Sequence, residues 1–80
     1  MAHAPTPGPP VKRSVTIAGH ETSIALEPMF WVAIERAAAE EALPLNALIA
    51  RIDSARLEQS PPANLASAIR QWLYARALAG

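Results

Sequence analysis

The sequence has no cysteine, and this absence excludes disulfide bonds as a means of holding its 80 residues together. A structural zinc site is also excluded, because the two histidines, His3 and His20, are not accompanied by a cysteine cluster. Domains of this size usually need a disulfide, a metal or a partner subunit to supplement a small core. We therefore expect no metal and no other cofactor, and we expect self-association to supply the missing stability.

Long apolar runs are also missing from the sequence. No stretch approaches the roughly 20 apolar residues that a membrane helix needs, and no basic segment leads into an apolar run near Met1. We expect a cytoplasmic protein that has no membrane partner.

The chain has no excess of either charge, since it contains seven basic and seven acidic residues. Proteins that bind nucleic acid usually carry a basic surface, so a net charge of zero does not by itself favour that function. The distribution is more informative, because Lys12 and Arg13 stand together and no acidic residue precedes Glu21. Positive charge is therefore concentrated at the start of the folded region.

Catalytic motifs are absent as well. The sequence contains no nucleophile paired with a base, no glycine-rich phosphate loop and no carboxylates at metal-ligand spacing. His20 precedes Glu21, but the neighbouring Gly19 favours a turn over an acid–base pair. We predict that the protein is not an enzyme.

Proline is dense in the first part of the chain, which has almost nothing to bury. We expect residues 1–11 to be a disordered tail and residues 12–80 to form a single domain. The first part of that domain has the β-favouring composition of two short strands, Val15–Ile17 and Thr22–Leu26, with a turn over residues 18–21.

Alternation along these two segments divides their side chains between two faces, because neighbouring side chains of a strand point to opposite sides. One face is mainly apolar and consists of Arg13, Val15, Ile17, Thr22, Ile24 and Leu26. The other is mainly polar and consists of Lys12, Ser14, Thr16, Glu21, Ser23 and Ala25. Residues 12–17 form either an outer strand that folds back on Thr22–Leu26 or a flexible arm, and the sequence leaves both open.

Three helices are predicted after the strands. Pro28 suits the first turn of a helix that continues to about Ala42, and a second helix runs from Leu45 to about Arg56. Asn64 is a good N-cap for a third helix, over residues 64–79.

The helical spacing also predicts which side chains are buried. It places Phe30 in the core, and Trp31, about 100° further round the helix, half-exposed and covering a partner subunit. Trp72 is expected to pack and Tyr74 to face solvent. The basic residues of the later helices are expected on solvated faces; they are Arg51, Arg56, Arg70 and Arg76.

The string TSIALEPMFWVAIERAAAEEALPLNALIARI, over residues 22–52, resembles the ribbon-helix-helix superfamily of the Arc and MetJ repressors. With the upstream KRSVTIAGHETS and the later NLASAIRQWL, the chain looks like a subgroup of short bacterial proteins predicted to bind DNA through this fold. The resemblance implies a mainly α protein with a short N-terminal β-ribbon, built as a ribbon-helix-helix homodimer with an additional C-terminal helix.

In that superfamily two chains pair their strands antiparallel, and the resulting ribbon enters the major groove of duplex DNA. A strand as short as Thr22–Leu26 cannot form a sheet alone, so we infer that it closes its hydrogen bonds on a second copy. The core expected between the two subunits consists of Ile24, Leu26, Phe30, Ile34, Leu48, Ile49 and Ile52.

The residues expected to contact DNA are Lys12, Arg13, Ser14, Thr16, Ser23, Ala25 and Asn46. The sequence departs from a strong DNA reader at three positions. Ala25 offers only an apolar contact, Glu21 repels phosphates, and Pro44 removes one N–H from the start of the second helix, where Asn46 would approach a phosphate.

We predict sequence-specific or semi-specific binding of duplex DNA by a homodimeric transcriptional regulator. The departures leave open an alternative, in which a dimer of the same fold has lost DNA reading and serves as a protein-interaction module. Such a module would use the third helix or the proline-rich tail as its partner surface.

Overall fold

The structure, a computed structural model, describes residues 7–80 and contains two strands followed by three helices. The elements are β1 (Val11–Ile17), β2 (His20–Leu26), α1 (Pro28–Glu40), α2 (Leu45–Leu57) and α3 (Leu65–Ala79). The first six residues of the expected tail, His3 among them, lie outside the described residues. Residues 7–10 are exposed and belong to no helix or strand.

The two strands form an antiparallel hairpin joined by a two-residue turn. Ala18 and Gly19 both have positive φ angles, 51° and 81°, which is the conformation that a tight hairpin turn needs in order to follow the twist of the strands. Val11 lies opposite Leu26 at the open end, and Ile17 lies opposite His20 beside the turn.

The hairpin differs from the sequence-based prediction in its limits. The expected turn over residues 18–21 contains only two residues, so His20 belongs to β2 rather than to the turn. The assignment of Val11 to the tail is also wrong, because this residue pairs with Leu26. Residues 12–17 form an outer strand and not a flexible arm.

This pairing corrects the inference that β2 must find its partner in a second copy. β1 is that partner along one edge of β2, so a single chain forms the sheet. The other edge of β2 is the part of the strand that stays without a partner among residues 7–80.

The three helices cover one face of the hairpin, and every element contributes to one core. The buried side chains are Val15 and Ile17 of β1, Ile24 and Leu26 of β2, Trp31, Ile34, Ala37 and Ala38 of α1, Leu48, Ile49 and Ile52 of α2, and Ile69 and Leu73 of α3. Six of the seven residues expected in a core between subunits are therefore buried by one chain, and the seventh, Phe30, is half-buried. Their burial does not depend on a second copy.

Trp31 corrects the predicted orientation of α1. The prediction placed Phe30 in the core and left Trp31 half-exposed, but Trp31 is only 4% exposed. Its indole Nε1–H donates to the carbonyl oxygen of Val11 at 2.8 Å. The prediction was wrong because β1 folds over α1, and this strand supplies both a cover for the ring and an acceptor for its N–H.

The ends of the helices follow local rules. Pro28 occupies the first position of α1, and the carbonyl of Glu27 accepts from the N–H groups of Phe30 and Trp31. Ala42, with a φ of 56°, ends the helix in the left-handed conformation, and this end comes two residues before the predicted one. The Asn64 side chain caps α3 by accepting from the N–H of Ser67 at 2.8 Å.

Ion pairs hold α3 against α1, where the prediction had placed its arginines on a solvated face. Arg70 lies 2.8 Å from the Glu27 carboxylate, and Arg76 lies 3.0 Å from Glu40 and 2.8 Å from Glu41. Partly exposed pairs of this kind contribute roughly 0.2–1 kcal/mol each, so they orient α3 more than they stabilise the fold.

The expectation of a solvated face is wrong for Arg56 as well. Its guanidinium lies 2.7 Å from the Asp53 carboxylate and donates to the Ala63 carbonyl at 3.1 Å. Arg51 is more exposed and lies 3.8 Å from Glu41. Arg56 therefore ties the segment between α2 and α3 to the end of α2.

We expect Ile24→Asp to abolish cooperative unfolding. The substitution buries an unpaired carboxylate, which costs more than about 3 kcal/mol out of the roughly 4–12 kcal/mol expected for a chain of this length. Ile24→Val should cost about 0.5–1.5 kcal/mol, and Ser14→Asp, on the exposed side of the hairpin, should change little. Thermal unfolding followed by circular dichroism tests this; an Ile24→Asp variant that melts with the wild type would contradict the core described above.

We expect the contact between Glu27 and Arg70 to weaken in acid. The backbone N–H of Glu27 itself and the Arg70 guanidinium lower the pKa of Glu27 from its ordinary value of 4.5. A lowered folded-state pKa adds stability above the unfolded-state pKa, and this contribution is lost as the pH falls through the folded-state pKa. Glu27→Gln should therefore lower Tm at neutral pH and have no effect once wild-type Glu27 is protonated.

Melting curves of wild type and Glu27→Gln, recorded from neutral pH down to the pH at which Glu27 is protonated, provide the measurement. Glu58→Gln is the matched control, since Glu58 is exposed and has no ion pair within residues 7–80. A difference between wild type and Glu27→Gln that stays constant down to the acid limit would show that the carboxylate charge is not involved.

Candidate nucleic-acid interface

The face of the hairpin that points away from the helices brings together most of the predicted contact residues. We call it the outer face, and it consists of Lys12, Ser14 and Thr16 of β1 and Glu21, Ser23 and Ala25 of β2. Five of the six side chains are exposed, and the sixth, Ala25, is half-buried. Five of the seven predicted contact residues therefore lie on one surface.

The pairs across the outer face give it a charge gradient. Lys12 lies opposite Ala25 at the open end of the hairpin, Ser14 opposite Ser23 in the middle, and Thr16 opposite Glu21 beside the turn. Lys12 takes part in no ion pair within residues 7–80. The face therefore carries an available cation at one end, hydroxyl groups in the middle and a carboxylate at the other end.

Arg13 is not part of the outer face. Its guanidinium lies 4.4 Å from the centre of the Trp31 ring and 3.5 Å from the Glu35 carboxylate, on the side of the helices. Alternation already placed Arg13 with Val15 and Ile17, so the sequence contained this signal. Its position beside Lys12 is what favoured it as a DNA contact, and its charge is instead balanced by an acid of α1.

Asn46 lies on a different element, in the exposed first turn of α2. Pro44 precedes this helix, and no side chain within residues 7–80 caps its first turn. The N–H groups of Ala47 and Leu48 donate to the carbonyl of Pro44 at 3.0 and 3.2 Å. The N–H groups of Leu45 and Asn46 are the two that remain for a ligand or water.

The open edge of β2 involves the same residues as the outer face. A two-residue turn makes Ile17 and His20 a hydrogen-bonded pair, and such pairs alternate along an antiparallel ladder. It follows that Glu21, Ser23 and Ala25 direct their N–H and C=O groups away from β1. An exposed edge with unpaired backbone groups is a template for a further strand.

A second exposed surface lies on α3. Tyr74 and Leu78 stand four residues apart, on the same side of the helix, and are 68% and 71% exposed. The exposure of Tyr74 is as predicted. Near the end of α3 an open cleft of about 520 Å³ separates this helix from α1, with Ala33, Ala37 and Leu73 among its lining residues.

Within residues 7–80, no three or more His, Asp and Glu side chains are grouped so that they could hold a metal ion. None of the three helices in this part of the chain has the length and apolar character of a membrane span.

The comparisons with known proteins agree with this geometry. A family model described as a ribbon-helix-helix domain matches residues 10–77, which include both strands and nearly all of α3. No curated protein and no solved structure matches the chain. Ribbon-helix-helix domains usually occur in DNA-binding regulators and are not enzymes. The chain has a β-ribbon followed by helices, and the family model matches most of the length of the chain. The chain therefore belongs to the ribbon-helix-helix domain family.

Proposed function

We propose that the protein is a homodimeric transcriptional regulator that binds duplex DNA with the outer face of its hairpin. The outer face is the observation that carries the proposal. It presents a cation, three hydroxyl groups and a small apolar side chain on a strand pair that the core holds in place. We place this activity in the bacterial cytoplasm, where such a regulator meets its DNA.

Dimerisation through the open edge of β2 would give hydrogen-bond partners to the backbone groups that β2 directs away from β1. Antiparallel pairing about a two-fold axis uses all of these groups when Ser23 lies opposite the Ser23 of the second copy. Glu21 then lies opposite the second copy's Ala25, which keeps the two Glu21 carboxylates apart. A register centred on Glu21 would instead bring these like charges together.

The dimer then presents four strands, in the order β1, β2, β2 and β1. Neighbouring strands are about 4.8 Å apart, so the outer two are about 14 Å apart, compared with a major groove about 12 Å wide. The two central strands fit within the groove, with Ser23 and Ala25 at the base edges. The outer strands lie over its walls, where Lys12 reaches the phosphates.

Each outer-face residue then has a distinct role. Lys12 neutralises phosphate without reading sequence, whereas the Ser23 hydroxyl donates to or accepts from a base edge. Ala25 suits a thymine methyl group, and Glu21 accepts from the amino group of cytosine. Asn46 and the free amides beside it offer a further phosphate contact at the start of α2.

The exposed pair on α3 favours a second candidate function. Tyr74 and Leu78 are apolar over most of their surface and are covered by no part of residues 7–80. They would serve a dimeric protein-interaction module that has lost DNA reading. The two functions differ in whether the protein has measurable affinity for duplex DNA.

We expect duplexes selected from a random pool to bind the protein with a salt-dependent affinity. A dimer that neutralises two phosphates through Lys12 contributes about 1.8 to the slope of log K against log salt. Lys12→Ala should lower the slope by about that amount, and Lys12→Arg should restore it. Arg36→Ala, which removes an exposed cation of α1, is the matched control and should leave the slope unchanged.

Fluorescence anisotropy at several salt concentrations provides these slopes. If no duplex is selected from the pool and the protein has no affinity for duplex DNA at low salt, the result would support the interaction module instead. A Lys12→Ala protein with the slope of the wild type would remove Lys12 from the interface.

The proposed register is open to a cross-linking test, because the chain contains no cysteine. Residues of a hydrogen-bonded antiparallel pair have Cα atoms about 5.5 Å apart, which lies within the range of a disulfide bond. Ser23→Cys should therefore form a covalent dimer under mild oxidation. Ser14→Cys lies on the same face but on the outer strand, and it should stay uncross-linked.

Non-reducing electrophoresis measures the yield of each covalent dimer, and chromatography under native conditions gives the oligomeric state. Equal cross-linking of the two variants, or a monomeric wild type, would contradict pairing through β2.

A further inference from the structure

Trp31 holds β1 on both sides of Lys12. Its indole N–H donates to the carbonyl of Val11, the residue before Lys12, at 2.8 Å. Its ring lies under the guanidinium of Arg13, the residue after Lys12, at 4.4 Å. Glu35, one turn along α1 from Trp31, pairs with the same guanidinium at 3.5 Å.

These contacts affect Lys12 because side chains alternate along a strand. When Val11 and Arg13 are held against α1, Lys12 between them must point to the outer face. The segment needs such a contact, because Val11 is the first residue of β1 and is 45% exposed. The end of an edge strand has few buried neighbours and opens easily.

Apolar packing alone does not require an indole at this position. Phenylalanine is also large and aromatic, and it could fill most of the space that Trp31 occupies in the core. The indole adds an N–H group, and this group is directed at the backbone of the strand that carries Lys12. Trp31 itself is only 4% exposed, so it has no surface with which to contact DNA.

We infer that Trp31 is a positioning residue for Lys12, which directs the lysine toward the DNA phosphates by anchoring Val11 and Arg13 to α1. The inference rests on the proposed function, in which Lys12 contacts phosphate. It adds a buried residue of the core to the determinants of DNA affinity.

Trp31→Phe tests the inference, because it keeps an aromatic ring in the core and removes the N–H. Loss of one hydrogen bond corresponds to a loss of DNA affinity of about threefold to tenfold. The salt slope should fall toward that of Lys12→Ala. In a protein that already carries Lys12→Ala, Trp31→Phe should cause no further loss, since two residues that act through one contact are not additive.

Trp72→Phe is the matched control. It removes the other indole N–H, on α3, where Trp72 is half-buried with Arg76 5.4 Å from its ring centre. This variant should leave the affinity and the salt slope unchanged. Melting temperatures are measured for every variant, because a purely structural role of Trp31 would lower Tm and leave the salt slope of the folded protein as it is.

The outcomes separate this inference from the proposed function. If Lys12→Ala leaves DNA binding unchanged, the phosphate contact is wrong and the inference fails with it. If Lys12→Ala weakens binding while Trp31→Phe does not, or if the two losses add, only the inference is overturned.

Hydrogen exchange of the indole N–H groups gives a second test, which uses only the wild-type protein and does not depend on whether a variant folds. The Nε1 proton of Trp31 should exchange more slowly than that of Trp72, and NMR spectroscopy resolves the two signals. Equal exchange rates would show that the anchor on Val11 does not form, and would overturn the inference.

Discussion

The backbone pairing of β1 with β2 is the constraint on which the rest of the structure depends. The two-residue turn at Ala18 and Gly19 sets the register, and the period of two then assigns each hairpin side chain to one face. A slip by one residue would move Ile24 toward solvent and Ser23 toward the helices. The composition of the core, the outer face and the open edge of β2 therefore follows from a single turn.

Because the hairpin forms within one chain, burial of the core and association of two chains are separate events. One chain buries a core to which all five elements contribute, while unpaired backbone groups lie along the open edge of β2, as they do along that of β1. A dimer formed through this edge depends on backbone hydrogen bonds more than on apolar area. In the proposed dimer, the intramolecular strand would make the sheet twice as wide as a ribbon with one strand from each subunit, which would extend the surface offered to DNA across the groove walls.

Local patterns in the sequence were sufficient to predict the three helices and the two faces of the hairpin, because alternation and helix-start preferences act over a few residues. Contacts between distant segments were not predictable in this way. Trp31 is buried by a strand 20 residues away, and Arg70 and Arg76 are paired with acids more than 30 residues away. Arg13 differs, since alternation alone placed it among apolar residues, on the side of the hairpin where it meets Trp31 and Glu35.

The balance of charges decides how the outer face can act on DNA. Within residues 7–80, five of the seven basic side chains lie in ion pairs, and the two that do not are Lys12 and Arg36. The proposed dimer would therefore offer two lysines from its outer face, so its sequence-independent attraction to phosphate would be weak. Under the proposed function, discrimination between sequences would come from Ser23, Ala25 and Glu21, and the Glu21 carboxylate would disfavour every base edge that has no donor to offer it. A regulator of this kind would gain its selectivity by binding poorly to most DNA rather than by binding tightly to one site.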